Sequence, residues 1–180
     1  MRIIAGSLRG RRLRALPGRL IRPTGDRMKE SMFSALGDFC RSARVLDLFA
    51  GSGALGFEAL SRGAIQATFV EKSRTALKVI AGNARTLGVE GEAIIIKADV
   101  FSFLRDLKKE APFDLVFADP PFKNDLAQKV HSWWLEHHRK GSVLVLEYPC
   151  AFPPLEENDA FKPVKTANFG ESSYSIYLAP

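Results

Sequence analysis

The chain has 180 residues, 46% of them hydrophobic and 26% charged, and a formal net charge of +6. Those values fit one globular domain and exclude a disordered or fibrous chain. Its longest apolar runs, such as Val143-Leu144-Val145-Leu146, fall far short of the roughly 20 residues a membrane-spanning helix needs.

The charge is concentrated at the start. Residues 1–30 hold nine Lys/Arg and two acids, a net of +7, whereas the rest of the chain nets −1. A basic arm on a near-neutral body predicts a polyanionic partner, nucleic acid first. No long apolar stretch follows Met1, so no secretory leader is expected. Residues 2–5 and 11–16 read as two short strands of a hairpin around Gly6-Ser7-Leu8-Arg9-Gly10. Arg22-Pro23-Thr24 is expected to be extended, because the residue before proline avoids helix. Thr24 or Asp26 then caps a helix whose apolar face is Met28, Met32, Ala35, Leu36 and Phe39.

Beyond residue 44 strands and helices alternate. The predicted strands are 45–49, 67–70 (ending in Glu71), 93–97, 113–118 and 142–147. Helices fall between them at 55–62, at 73–87 with Ser73 as cap and Gly88 as stop, at 101–107, and after a cap at Asn124 or Asp125. Segments 161–169 and 173–178 form a closing antiparallel hairpin around Gly170. This is the pattern of an α/β fold with βαβ units, a mostly parallel sheet and helices on both faces. Strands at 94–96, 115–117 and 143–146 should be buried on both sides. In such sheets ligands bind at the carboxyl ends of the strands.

Those ends carry the informative residues. Gly51, Gly53 and Gly56 satisfy G-x-G-x-x-G, and Glu71 follows Gly51 by 20 residues. That spacing suits a nucleoside, with the acid accepting from ribose hydroxyls. It does not by itself separate a dinucleotide from another adenosine cofactor. Asp47, in the strand before the turn, disfavours a pyrophosphate and suits a cationic ligand with an amino-acid tail. S-adenosylmethionine has an ammonium for Asp47, a ribose for Glu71, and an adenine amine for Asp99, with Val100 offering its N–H. After the fourth strand comes Asp119-Pro120-Pro121-Phe122. The Asp119 carboxylate and the Pro120 carbonyl can accept from an exocyclic amine, and Phe122 can stack on a planar base. Such positioning accelerates methyl transfer to a ring-conjugated amine.

This tetrapeptide resembles the (D/N)-P-P-(Y/F/W) motif of class I S-adenosylmethionine-dependent amino-methyltransferases. The chain as a whole resembles the RsmD family, small bacterial enzymes that methylate guanine N2 in 16S ribosomal RNA. The matching stretches include Ile3-Ile4-Ala5-Gly6, Arg22-Pro23-Thr24-Gly25-Asp26-Arg27, Leu46-Asp47-Leu48-Phe49-Ala50-Gly51-Ser52-Gly53 and Glu58-Ala59-Leu60-Ser61-Arg62-Gly63-Ala64. Gly25 stands where the family usually has Thr or Ser, and Lys29 where it more often has Arg. The resemblance implies a Rossmann-like, seven-stranded core over residues 41–180 and an RNA-contacting appendage over 1–40. It assigns Asp47, Ala50, Gly51, Gly53, Glu71, Lys72, Asp99 and Val100 to S-adenosylmethionine. Asp119, Pro120, Pro121 and Phe122 become the catalytic set, and Arg9, Arg11, Arg12, Arg22, Thr24 and Arg27 the RNA contacts. A small ribosomal subunit or assembly intermediate, a monomeric state and a cytoplasmic location are implied too.

Other readings carry less. A DNA adenine-N6 or protein glutamine-amide methyltransferase would share the Asp119 chemistry, but a sequence-reading DNA enzyme needs a further domain. An inactive RNA-binding module would show a damaged glycine turn or Asp119, and a nicotinamide oxidoreductase is opposed by Asp47. His137 and His138 are adjacent on a helix and point about 100° apart, which suits no shared metal ion. Trp133-Trp134 is expected to pack at least one ring into the core. Cys40 and Cys150 lie outside any ligand spacing and fit a reducing compartment. Ser52 lacks the G-x-S-x-G context of a hydrolase nucleophile.

Overall fold

The computed structural model describes residues 1–16, 23–107, 113–122, 125–151 and 162–180. Among them, helix α1 (Pro23–Leu36) runs into a 3₁₀ turn at Gly37–Cys40. The alternating elements follow as β1 (Arg44–Leu48), α2 (Ala54–Ser61), β2 (Gln66–Glu71), α3 (Arg74–Leu87), β3 (Ala93–Lys97), α4 (Val100–Asp106), β4 (Leu115–Ala118), α5 (Leu126–His137) and β5 (Val143–Pro149). A hairpin of β6 (Lys165–Phe169) and β7 (Ser172–Leu178) closes the chain. One seven-stranded sheet results, in the order β3-β2-β1-β4-β5-β7-β6. The first five strands are parallel, and β7 inserts antiparallel between β5 and β6. The Rossmann-like expectation holds, closing hairpin included.

Strand alternation divides the apolar residues between two clusters. Val45, Phe69 and Phe117 join Phe57, Ile80 and the α1 residues Met32 and Phe33 on one face. Leu46, Leu48, Val70, Val116 and Leu144 join Leu104, Val130 and Trp134 on the other. The sequence of strand partners reverses at β1: β2 and β3 lie to one side, β4 and β5 to the other. The crevice between β1 and β4 is therefore the topological switch point, where open α/β sheets bind ligands.

Several expectations are corrected. The first helix begins at Pro23, not after a cap at Thr24 or Asp26, because proline's fixed φ and missing N–H suit the first helical position. Ala35 faces solvent, and Phe33 takes its place against Phe117, with ring centroids 5.3 Å apart. The N-terminal strands shrink to a single antiparallel bridge, Arg2 to Arg12. β3 is a sheet edge rather than a doubly buried strand, leaving Ile94 41% exposed. Asp125 stands at the start of α5 in a left-handed conformation and makes no side-chain cap; Asn124 lies outside the described residues. Trp134 is buried, while His137 and His138 bond through Nδ1 to backbone carbonyls of their own helix.

The arm is docked by buried polar groups. Glu58 on α2 is fully buried and accepts from the backbone N–H of Ile4 (2.8 Å) and Ala5 (3.0 Å). Its charge is matched by Lys29 at 3.3 Å and Arg62 at 3.0 Å, and Lys29 also donates to the Arg2 carbonyl at 2.7 Å. Burial lowers the Lys29 pKa against the opposing pull of Glu58. Gly6 lies flat on this helix: a Cβ there would sit 1.8 Å from the Ser61 carbonyl oxygen. Farther along, Asn83 of α3 bonds both the N–H and the carbonyl of Arg14. Ile3 and Leu13 thereby enter the same apolar cluster as Val45 and Phe117.

Candidate active site

Asp47 lies in β1 between Phe69 of β2 and Phe117 of β4, its register partners on the same face. It is 2% exposed. Its Oδ2 accepts from the Gly56 N–H at 3.0 Å. That single bond does not offset the loss of water, and the nearby charges of Asp119 and Glu71 add to the cost. The pKa is pushed up to about 8, chiefly by burial. A carboxylate held in this way favours a cationic ligand, which would restore its charge.

The turn after β1 is built for close approach. Phe49 adopts φ +58°, a left-handed conformation that is rare for a bulky residue. It turns the chain out of the sheet and leans edge-on against Phe101, with ring centroids 6.2 Å apart. Gly51 and Gly53 follow with φ +57° and +79°. Gly56 lets α2 press onto the sheet, since a Cβ there would come within 2.3 Å of the Phe69 ring. Ala50 is buried at the base of the turn and bonds Val70 through its N–H.

Glu71 closes the turn from the end of β2. It accepts from Gly51 N–H at 3.0 Å and Ser73 N–H at 2.8 Å. As an acceptor-only group it keeps further lone pairs for ligand hydroxyls. Lys72 beside it is exposed. Asp99 has the plainer structural role of capping α4, where Oδ1 accepts from Phe101 N–H at 3.1 Å and Ser102 N–H at 3.4 Å. The Val100 side chain is buried in the second apolar cluster.

Asp119 leaves β4 next to β1, close enough for its charge to act on Asp47. Pro120 is buried, Pro121 is exposed, and Phe122 is 44% exposed, a large aromatic ring facing solvent at the strand end. Asp47, Glu71 and Asp119 are thus gathered at one crevice. The arm reaches it too: Met1 Sδ accepts from Ser52 Oγ at 3.8 Å, and Asn83 bonds the Ser52 carbonyl. Arg9, Arg12 and Arg27 are exposed, and Arg11 donates to the Thr86 carbonyl. Arg22 lies outside the described residues, as does the side chain of Thr24. Phe49 and the Glu58 cluster are additions that sequence reasoning had not singled out. Among the described residues no group of three or more His, Cys, Asp or Glu is placed to hold a metal ion. Cys40 is buried, which raises its thiol to about 11 and leaves it unreactive.

The switch-point crevice, its buried acid and its glycine turn are those of a class I, S-adenosylmethionine-dependent methyltransferase. The chain belongs to the family described as Conserved hypothetical protein 95, which matches residues 1–178. It is similar to the ribosomal RNA small subunit methyltransferase D of Haemophilus influenzae, 38% identical over 179 residues that cover 98% of this chain and 93% of that protein. The Escherichia coli protein of the same name is 42% identical over 129 residues, 72% of this chain and 64% of that protein. A solved structure from Escherichia coli is 33% identical, superposes with a TM-score of 0.87, and is matched over 99% of this chain and 97% of its own. An RNA methyltransferase from Salinibacter ruber, solved with S-adenosylhomocysteine, shares the fold at a TM-score of 0.62 and 17% identity, over 90% of this chain and 94% of that one.

Proposed function

We propose that this chain transfers a methyl group from S-adenosylmethionine to the exocyclic N2 amine of a guanine in small-subunit ribosomal RNA. The observation that carries the reading is Asp119-Pro120-Pro121-Phe122 at the end of β4, beside the buried Asp47 of β1. The bound cofactor would supply an electrophilic methyl group on a sulfonium sulfur. Asp47 would hold its ammonium, Glu71 its ribose, and Asp99 with Val100 its adenine, over the turn of Ala50, Gly51 and Gly53 with Lys72 at the rim. Asp119 and the Pro120 carbonyl accept the N–H bonds of the guanine amine, which localises its lone pair. Phe122 stacks on the base and holds it in line. As the nitrogen becomes cationic, the carboxylate stabilises it, and the nitrogen then sheds one N–H proton to that carboxylate or to solvent, leaving the neutral methylated amine. A guanine amine inside a helix is out of reach, so the target base must be unpaired or flipped.

In this reading residues 1–40 contact RNA and residues 41–180 form the catalytic core. The substrate is an assembled or partly assembled small subunit, met by a monomer in the cytoplasm. No helix among the described residues is long and apolar enough to cross a membrane. The test is incubation with labelled S-adenosylmethionine and small subunits from cells lacking the protein. Mass spectrometry of the nucleosides is expected to give N2-methylguanosine; N6-methyladenosine, or label in protein, would overturn it.

The arm supplies phosphate-binding cations. Replacing Arg9, Arg11 and Arg12 with glutamate is expected to weaken RNA binding. The plot of log affinity against log salt should flatten by about 0.7–0.9 for each phosphate no longer neutralised. An unchanged slope across a salt series would remove these residues from the interface.

A further inference from the structure

A cleft of ≈ 360 Å³ opens between the arm hairpin and the first turns of α1, lined by Arg2, Ile3, Ile4, Arg9, Gly10, Asp26, Arg27 and Glu30. Its volume is within the range of about 300–1,000 Å³ that holds small ligands. The charges are mixed, and that decides what fits. Arg2, Arg9 and Arg27 suit a phosphate, but Asp26 and Glu30 would repel an anion that offered nothing else. These acids stand four residues apart on α1 and share one face of the helix. Ionised carboxylates only accept hydrogen bonds, so the part of the ligand they meet must donate. A nucleotide with an amine-bearing base satisfies both ends. Among the described residues, the ion pairs found do not join these acids to these arginines.

The walls are held in advance of any ligand. Glu58 fixes the backbone of Ile4 and Ala5, Lys29 fixes the Arg2 carbonyl, and Gly10 N–H bonds the Ile3 carbonyl at 3.0 Å. At the bridge, Arg2 and Arg12 face each other as a like-charged cross-strand pair, which costs stability unless an anion lies between or beside them. The segment that bears Arg2 begins at Met1, whose Sδ accepts from Ser52 Oγ in the glycine turn at 3.8 Å, so one wall of the cleft is tied to the catalytic crevice through the next residue. We infer that this cleft binds a second nucleotide of the substrate RNA, distinct from the one methylated, with its phosphate on Arg2, Arg9 and Arg27 and an amine-bearing base on Asp26 and Glu30. The inference rests on the RNA reading above and adds a recognition site to it.

The test uses the full ¹⁵N-labelled chain titrated with GMP, AMP, CMP, UMP and inorganic phosphate, following the amides of Ile4, Gly10 and Arg27. The amine-bearing nucleotides are expected to shift these amides saturably, with UMP and phosphate at least about fivefold weaker. The double variant Asp26→Ala, Glu30→Ala, which removes both acceptors, is expected to erase that preference and to raise the KM for RNA about tenfold with kcat unchanged. Equal responses to all five probes, no response, or a preference and KM that survive the double variant would overturn the inference. Failure of the functional reading looks different: the wild-type chain would then methylate no guanine, whatever the titrations show.

Discussion

Asp119→Ala is expected to lower kcat for methyl transfer by about 10³-fold, because preorganised acceptors at a developing charge typically contribute on that scale. In the proposed mechanism alanine removes the carboxylate that would accept from the amine and stabilise the nitrogen as it becomes cationic. Cofactor affinity should not fall. Asp119 is one of the charges that raise the Asp47 pKa, so its loss makes Asp47 easier to ionise and a cationic ligand slightly easier to bind. Asp119→Asn separates the two roles. Its amide oxygen still accepts one hydrogen bond, so it should retain more activity than the alanine variant, while also relieving the charge on Asp47. Single-turnover rates together with calorimetric titration of S-adenosylhomocysteine check both halves. Full activity in Asp119→Ala, or loss of ligand binding, would remove Asp119 from the catalytic role.

What the sequence made legible was set by local patterns. Alternating apolar strands, the Ser73 cap and the Gly88 stop depend on neighbours a few positions away, and the structure has them as expected. The strand-end acids were legible because a parallel sheet brings all such ends to one edge. What escaped depends on distant partners. Glu58 lies 54 positions from Ile4, and Asn83 lies 69 from Arg14, so no local signal tells a docked arm from a solvated one. The same holds for Phe49, whose left-handed φ is imposed by packing against Phe101 and by the turn beyond it. Ile94 reads as buried because Ile94-Ile95-Ile96 is apolar, but composition does not say which strand ends at the sheet edge. Pro23 could be placed either way by its neighbours: proline disfavours helix before itself and suits a helix that begins with it.

Asp47 gives the other large effect, and its burial between Phe69 and Phe117 makes that effect pH-dependent. With a pKa of about 8, the group is mostly protonated at pH 7 in the absence of a cation. If Asp47 holds the ligand's ammonium as proposed, binding requires the ionised form and releases a proton. Affinity for S-adenosylhomocysteine should therefore rise roughly tenfold per pH unit from 6 to 7 and level off above about 8. Folding stability runs the other way. The unfolded carboxylate loses its proton near its ordinary value of 3.8, whereas the folded one keeps it to about 8. Between those values the folded chain binds the extra proton, so the ligand-free protein loses stability as pH rises through that window. Asp47→Asn cannot ionise. It should raise the melting temperature of the ligand-free chain at pH 8 and flatten its pH dependence. The same change should weaken S-adenosylhomocysteine by about 10²-fold, the scale of a lost charge-assisted bond in a buried site. Opposite movements of stability and affinity in one variant would distinguish a buried carboxylate kept for a cation from one kept for packing. A variant that bound the ligand normally, or whose melting temperature fell at pH 8, would contradict this account of Asp47.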